Sequence, residues 1–237
     1  MGNTPTIHNA ALLGQVAPAV VMPGDPLRAA YLAENYLRDP VLYSNLRGIP
    51  VYTGTYRGVP VSVMASGMGA GSMGIYSHEL FWDYRVERIV RAGTAGGLSS
   101  TLSLRDIVLG ISCSTDSGFA VQFELPGVFA PCCSFSLAAA ADQIGREKGL
   151  SVRGGMLFSG AAFHYTADYL RRWEKAGALA VEMEAAALYM NAMTAGREAL
   201  AVCVITDMVF TGEHCSPQER QTSLDDMLSL ALDTAVR

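Results

Sequence analysis

The segment Val181-Glu182-Met183-Glu184-Ala185-Ala186-Ala187 places two carboxylates around a methionine, inside a stretch apolar enough to be core. An ionised carboxylate is costly to take out of water, so these acids must either neutralise a buried cation or grip polar groups of a ligand. Partners for them recur elsewhere in the chain. Val20-Val21-Met22-Pro23-Gly24-Asp25-Pro26-Leu27-Arg28 reads as a strand, a tight turn and a helix, with Asp25 as N-cap and Pro26 at the first helical position. Exposed backbone N–H groups, a Gly24 that permits close approach and the Arg28 guanidinium suit phosphate or another anion. A plain capped turn is the commoner meaning of such a sequence. Arg91, at a strand end, precedes the small-residue run Ala92-Gly93-Thr94-Ala95-Gly96-Gly97. Guanidinium, hydroxyl and free amides together also suit oxyanions, although glycine-rich strand exits are often only turns.

A second kind of chemistry is written at the C-terminal side. Ala201-Val202-Cys203-Val204-Ile205-Thr206-Asp207 is a buried strand ending in an acid, the usual place of a working residue in an α/β sheet, with an Asx-turn as the bland alternative. Ser216-Pro217-Gln218-Glu219 then marks a helix start by N-cap, proline and capping-box acid. Leu224, Met227, Leu228, Ala231 and Ala235 define that helix's buried face, and Arg220 lies one turn before Leu224 on it. Arg220 either points inward or snorkels out at the helix end. Asp207 beside an inward Arg220 would relieve the desolvation of both. A rival signal is Gly67-Met68-Gly69-Ala70-Gly71-Ser72-Met73-Gly74, which contains G-x-G-x-x-G between strand and helix, as a dinucleotide fingerprint requires. The ribose-binding acid expected about 20 residues on is replaced by the Arg91 segment.

The elements that must position these groups are those of a single α/β domain spanning 1–237. Short β-branched runs predict strands near 19–22, 51–56, 59–65, 88–92, 106–112, 152–158, 179–183 and 199–206. Helical periodicity predicts helices at 26–37, 72–84, 135–148, 167–176, 184–195 and 217–236. A hairpin at Thr53-Gly54-Thr55-Tyr56-Arg57-Gly58-Val59 makes the sheet mixed. Half of the 237 residues are hydrophobic and 16% are charged, enough for a large core. A net charge of −5 without any basic run argues against nucleic acid or an anionic membrane as partner. No apolar run approaches the roughly 20 residues of a membrane span. The N-terminus lacks signal-peptide character, and its loose myristoylation match has no polybasic second signal. Five cysteines without C-x-x-C spacing point to a reduced, cytoplasmic setting, and four histidines without ligand spacing point to no metal.

Taken in order, Met22-Pro23-Gly24-Asp25-Pro26-Leu27-Arg28, Asn45-Leu46-Arg47-Gly48, Gly67-Met68-Gly69, Arg91-Ala92-Gly93-Thr94, Val181-Glu182-Met183-Glu184 and Thr206-Asp207 with Glu219-Arg220-Gln221-Thr222 resemble the bacterial hexameric purine nucleoside phosphorylases. The match is collinear from about Thr4 to the C-terminus. The resemblance implies a mixed twisted sheet, partly barrel-like and flanked by helices. It implies phosphorolysis of purine ribo- and deoxyribonucleosides to free base and pentose 1-phosphate, with inorganic phosphate as co-substrate and no cofactor. Gly24, Arg28, Arg91 and Thr94 match the phosphate positions, and Arg47 matches an arginine lent by a neighbouring subunit. Glu182, Met183, Glu184 and Thr206 fall among the nucleoside contacts, with Glu184 on the sugar hydroxyls. His8 resembles a partner-subunit histidine near the 5′-hydroxyl, Met68 one that lies against the sugar, and Phe163 the aromatic beside the base. The resemblance implies that Asp207, with Arg220 behind it, is the catalytic acid facing purine N7. A homo-oligomer follows, a hexamer built as a trimer of dimers.

The chain departs from the family pattern in places. Thr94 and Thr206 stand where serine is usual, and Ser159-Gly160-Ala161-Ala162-Phe163-His164 lacks an acid and an aromatic. The segment Ser117–Cys133 matches poorly. Uridine phosphorylases and water-using nucleosidases share the scaffold, but Asp207 suits N7 and the retained Arg28, Arg47 and Arg91 suit phosphate. An NADP-dependent oxidoreductase or a silent nucleoside-binding protein are the readings from other classes.

Overall fold

The computed structural model describes residues 3–237, apart from the side chains of residues 217–223. Its centre is the most apolar run of the chain: β9 (Glu198–Met208) is buried on both faces from Ala199 to Ile205, as a strand flanked by elements on each side must be. β9 runs parallel to β5 (Arg88–Gly97) over almost its whole length and antiparallel to β6 (Ile107–Thr115). β7 (Val152–Ser159) pairs with β6, β8 (Ala178–Glu182) pairs with β7, and β8 returns to the end of β5. The ring β5-β8-β7-β6-β9 therefore closes on itself. From β5 the sheet continues outward through β1 (Ala19–Pro23), β4 (Val59–Met64), β3 (Val51–Tyr56) and β2 (Arg38–Ser44). Parallel and antiparallel pairs are mixed throughout, so the expected α/β domain with a mixed, partly closed sheet is what the chain forms.

Helices cover this sheet: α1 (Pro26–Tyr36), α2 (Gly69–Trp82), α3 (Phe135–Glu147), α4 (Ala167–Lys175), α5 (Ala185–Ala195) and α6 (Pro217–Ala235). Helix α5 is buried on every side from Ala185 to Ala192, because its alanines let α2 approach closely. The Asn191 amide then satisfies Gly74 O and the Ser77 hydroxyl across that contact. Tyr189 of α5 is fully buried, donating its hydroxyl to Gly110 O of β6 and accepting Ala201 N–H of β9. Tyr189→Phe leaves both backbone groups short of a partner, and urea unfolding should show a loss of about 1–3 kcal/mol. An unchanged midpoint would remove that hydroxyl from the account of the fold.

Each expected strand and helix is present, and the differences lie mainly at strand ends. β5 continues through 93–97, a stretch read as loop, because its small residues fit between β8 and β9. β6 runs to Thr115 and β9 to Met208 for the same reason, pairing with neighbours distant in sequence. β2 was not expected: it holds Pro40 and is largely exposed, as an edge strand tolerates.

Candidate active site

Several strands of the closed ring and β1 end at one cavity of about 660 Å³, within the range that holds a ligand of nucleoside size. The turn after β1 forms one side. Asp25 caps α1 through Leu27 N–H at 2.8 Å, while Ser66 N–H and Gly67 N–H reach Pro23 O and Gly24 O, tying the exits of β1 and β4 together. Gly67 has φ +67, and a Cβ there would meet the Ser72 hydroxyl at 2.4 Å, so glycine is required. Gly24, Arg28 and Gly67 all line the cavity. Burial lowers the pKa of the Arg28 guanidinium, Asp25 opposes this, and the like charge of Arg91 lowers it further. Two arginines thus press on one another where an anion would relieve both.

Arg91 is buried and gripped by both acids of the Glu-Met-Glu segment: its Nε donates to Glu182 Oε2 at 3.0 Å and an Nη donates to Glu184 Oε2. Burial works against its charge, but the Glu184 and Glu182 carboxylates hold the guanidinium above its ordinary range. Gly93 makes room for it, since a Cβ there would lie 2.5 Å from Nη1. The two acids differ in role. Glu182 also accepts Glu184 N–H and Ala185 N–H, which caps α5, and its side chain is fully buried. It orients Arg91 and the helix start, chiefly through Oε2, and it lines the cavity as expected, with only Ala185 N–H on Oε1. Glu184 accepts Gly69 N–H at 2.5 Å on Oε1 and Arg91 on Oε2, leaving lone pairs for hydroxyl groups in the cavity it lines. Burial raises its pKa against the pull of Arg91. The same contact disposes of the dinucleotide reading, because the first N–H of α2 is taken by a protein carboxylate.

At the other end of β5, the ladder with β9 slips between Ala95 and Gly96, so Ala95 faces Ile205 while Gly96 faces Asp207. This bulge breaks the alternation of β9 and lets both Thr206 and Asp207 border the cavity. The Thr206 hydroxyl donates to Asp207 Oδ2 at 2.7 Å. Five residues of β5 separate the levels of Arg91 and Asp207, roughly 16 Å along the strand. Met68, Thr94, Phe163 and Met183 also line the cavity, as expected. His8 and Arg47 do not line it: His8 pairs with Glu79 at 2.6 Å and sits edge-on to Tyr76, and Arg47 is near enough to Tyr76 to oppose the rise that burial gives its pKa. Arg220 lies outside the described side chains. His164, which its sequence left open as a base or subunit contact or a plain surface-loop histidine, lines the cavity, and not anticipated were the Val181 and Val209 walls and Tyr165. Among the described residues no group of three or more His, Cys, Asp or Glu is placed to hold a metal ion, and no helix is long and apolar enough to cross a membrane.

Comparison with known proteins agrees with this geometry. The profile of the Phosphorylase superfamily matches residues 18–235. A DeoD-type purine nucleoside phosphorylase of Listeria welshimeri is 44% identical over 234 residues, covering 98% of this chain and 100% of the relative. One from Geobacillus sp. is 40% identical, covering 98% and 99%. Among solved structures, uridine phosphorylase from Vibrio fischeri superposes with a TM-score of 0.85 at 22% identity, covering 99% of this chain and 98% of the other. Purine nucleoside phosphorylase from Toxoplasma gondii, in complex with immucillin-H, gives 0.85 at 19% identity, covering 94% and 91%. These two likenesses establish the shared fold. The chain belongs to the phosphorylase superfamily and, within it, to the family of DeoD-type purine nucleoside phosphorylases.

Proposed function

We propose that this chain catalyses phosphorolysis of purine ribo- and deoxyribonucleosides, releasing the free purine and (deoxy)ribose 1-phosphate in purine salvage. The observation that carries this reading is that Arg28 and Arg91, Glu184, and Asp207 all line one cavity of nucleoside size. Cleaving the glycosidic bond builds positive charge on the sugar and negative charge on the purine. A phosphate held by Arg28, Arg91, Thr94 and the Gly24 turn stabilises the first, and a proton from Asp207 to N7 neutralises the second. Glu184 accepts the sugar hydroxyls while Met68 and Met183 pack against the ring, and Phe163 lies beside the base. Because one guanidinium touches Glu184 and faces the phosphate site, Arg91 couples sugar orientation to phosphate binding. Arg220 supports the proton transfer by approaching Asp207 as the site closes.

Inorganic phosphate serves as co-substrate, with no metal or organic cofactor. His8 and Arg47, grouped at Tyr76 away from their own cavity, serve the cavity of a neighbouring copy, which makes the protein a homo-oligomer, a hexamer built as a trimer of dimers. The unbridged cysteines fit a cytoplasmic location. The test is base release from inosine, adenosine and uridine with and without phosphate. Purine release that depends on phosphate is expected, and cleavage without phosphate would overturn the phosphorylase reading.

A further inference from the structure

The connection between β7 and α4 supplies four consecutive residues to the cavity: Ala162, Phe163, His164 and Tyr165. Little in its own sequence fixes it. Gly160 N–H reaches Glu182 O at 2.7 Å, but Ala161 and Ala162 have no anchoring side chain, and Phe163 is 77% exposed with the His164 ring as its aromatic neighbour. What secures the connection is Asp116, the residue immediately after β6. Its Oδ1 accepts Ala161 N–H at 2.8 Å, and its Oδ2 accepts the hydroxyls of Tyr165 at 2.7 Å and Tyr169 at 3.0 Å. The Tyr165 oxygen in turn accepts Ala162 N–H at 3.0 Å. One carboxylate therefore holds both ends of the connection.

The two tyrosine rings stack at 4.9 Å and lean on Phe158, itself stacked on Trp173 at 4.3 Å. That aromatic block is a firm base, and the bonds to Asp116 and Tyr165 tie 161–162 to it. Burial pushes the Asp116 carboxyl up, but the Tyr165, Ala161 and Tyr169 hydrogen bonds outweigh it and hold the group below its ordinary range. Its charged form is the one that grips. Asp116 is also exposed, so water competes for each bond and the anchor can release as well as hold.

We propose that Asp116 is a positioning residue for the nucleobase: its carboxylate suspends the 161–165 wall at the cavity and sets how tightly the base is held. This rests on the phosphorolysis reading for the identity of the ligand. In Asp116→Ala, the KM for inosine should rise about tenfold while kcat changes less than about threefold and the KM for phosphate stays the same. Amide exchange in 161–165 should accelerate. Tyr165→Phe keeps the stacked rings and should shift the nucleoside KM in the same direction, about threefold. Faster exchange with an unchanged nucleoside KM, or a matching fall in kcat and phosphate affinity, would overturn the proposal. If the wild type releases no purine with phosphate, the functional reading fails first, and calorimetric binding of hypoxanthine and adenine replaces KM. Weaker binding by Asp116→Ala then supports the anchor, whereas equal binding, or none by the wild type, overturns it.

Discussion

Asp207→Asn should lower turnover by about 10²–10⁴-fold while phosphate binding survives. Asparagine preserves the shape of the side chain and can still meet the Thr206 hydroxyl, but it has no proton to release to N7. Asp207 lies at the far end of β5 from the Arg28 and Arg91 pair, so the change should not reach the phosphate positions. A nucleoside already alkylated at N7 carries the positive charge that protonation would supply. The deficit of Asp207→Asn should therefore narrow sharply with such a substrate. Near-normal turnover of inosine, or an equal deficit on both substrates, would rule out proton donation by this residue.

The second large effect is expected at Arg91. Arg91→Leu removes the cation from between two buried carboxylates and should cost about 3–5 kcal/mol of unfolding free energy near neutral pH, together with phosphorolysis itself. The loss should depend on pH in a definite direction. Burial already raises the Glu184 pKa above its ordinary 4.5, and without Arg91 the opposing pull disappears, so the folded variant binds a proton more tightly than the unfolded chain. A group whose folded pKa is raised loses stability as pH rises through the interval between its unfolded and folded values. The deficit should thus be greatest above that interval and shrink as pH falls towards 4.5. Denaturant melts across that range would test it, and a deficit that grows in acid would show that Glu184 and Glu182 are not the groups left unpaired.

Features that depend on near neighbours were legible in the chain. The capped turn at Asp25-Pro26 is a local device, and it appears where Pro23-Gly24-Asp25-Pro26 placed it. The start of α6 at Pro217 is another. The acid after a buried run was recognised at Asp207 because the apolar stretch before it is unbroken. The same kind of acid was missed at Asp116, because Ser112, Ser114 and Thr115 interrupt the apolar pattern and the strand was taken to end at Ser112. Only pairing with β7, out to Thr115 and Ser159, extends β6 far enough to make Asp116 a strand-end acid.

The Glu-Met-Glu segment divides along the same line. Its residue types alone required that two carboxylates in an apolar run find a cation or a ligand, because desolvated charge must be compensated whatever the fold. Which acid does which was decided by contacts across 91 and 115 residues of chain: Arg91 to Glu182, and Gly69 to Glu184. The sequence by itself determined the elements, the caps and the chemistry available, since these follow from side-chain type and spacing over a few residues. The tertiary structure alone decided that Glu182 holds Arg91 and the start of α5 while Glu184 holds Arg91 and the start of α2, both at the wall of one cavity. It also decided that a bulge at Thr206 turns Asp207 inward, because strand register and the meeting of buried charges are settled only when distant segments pack.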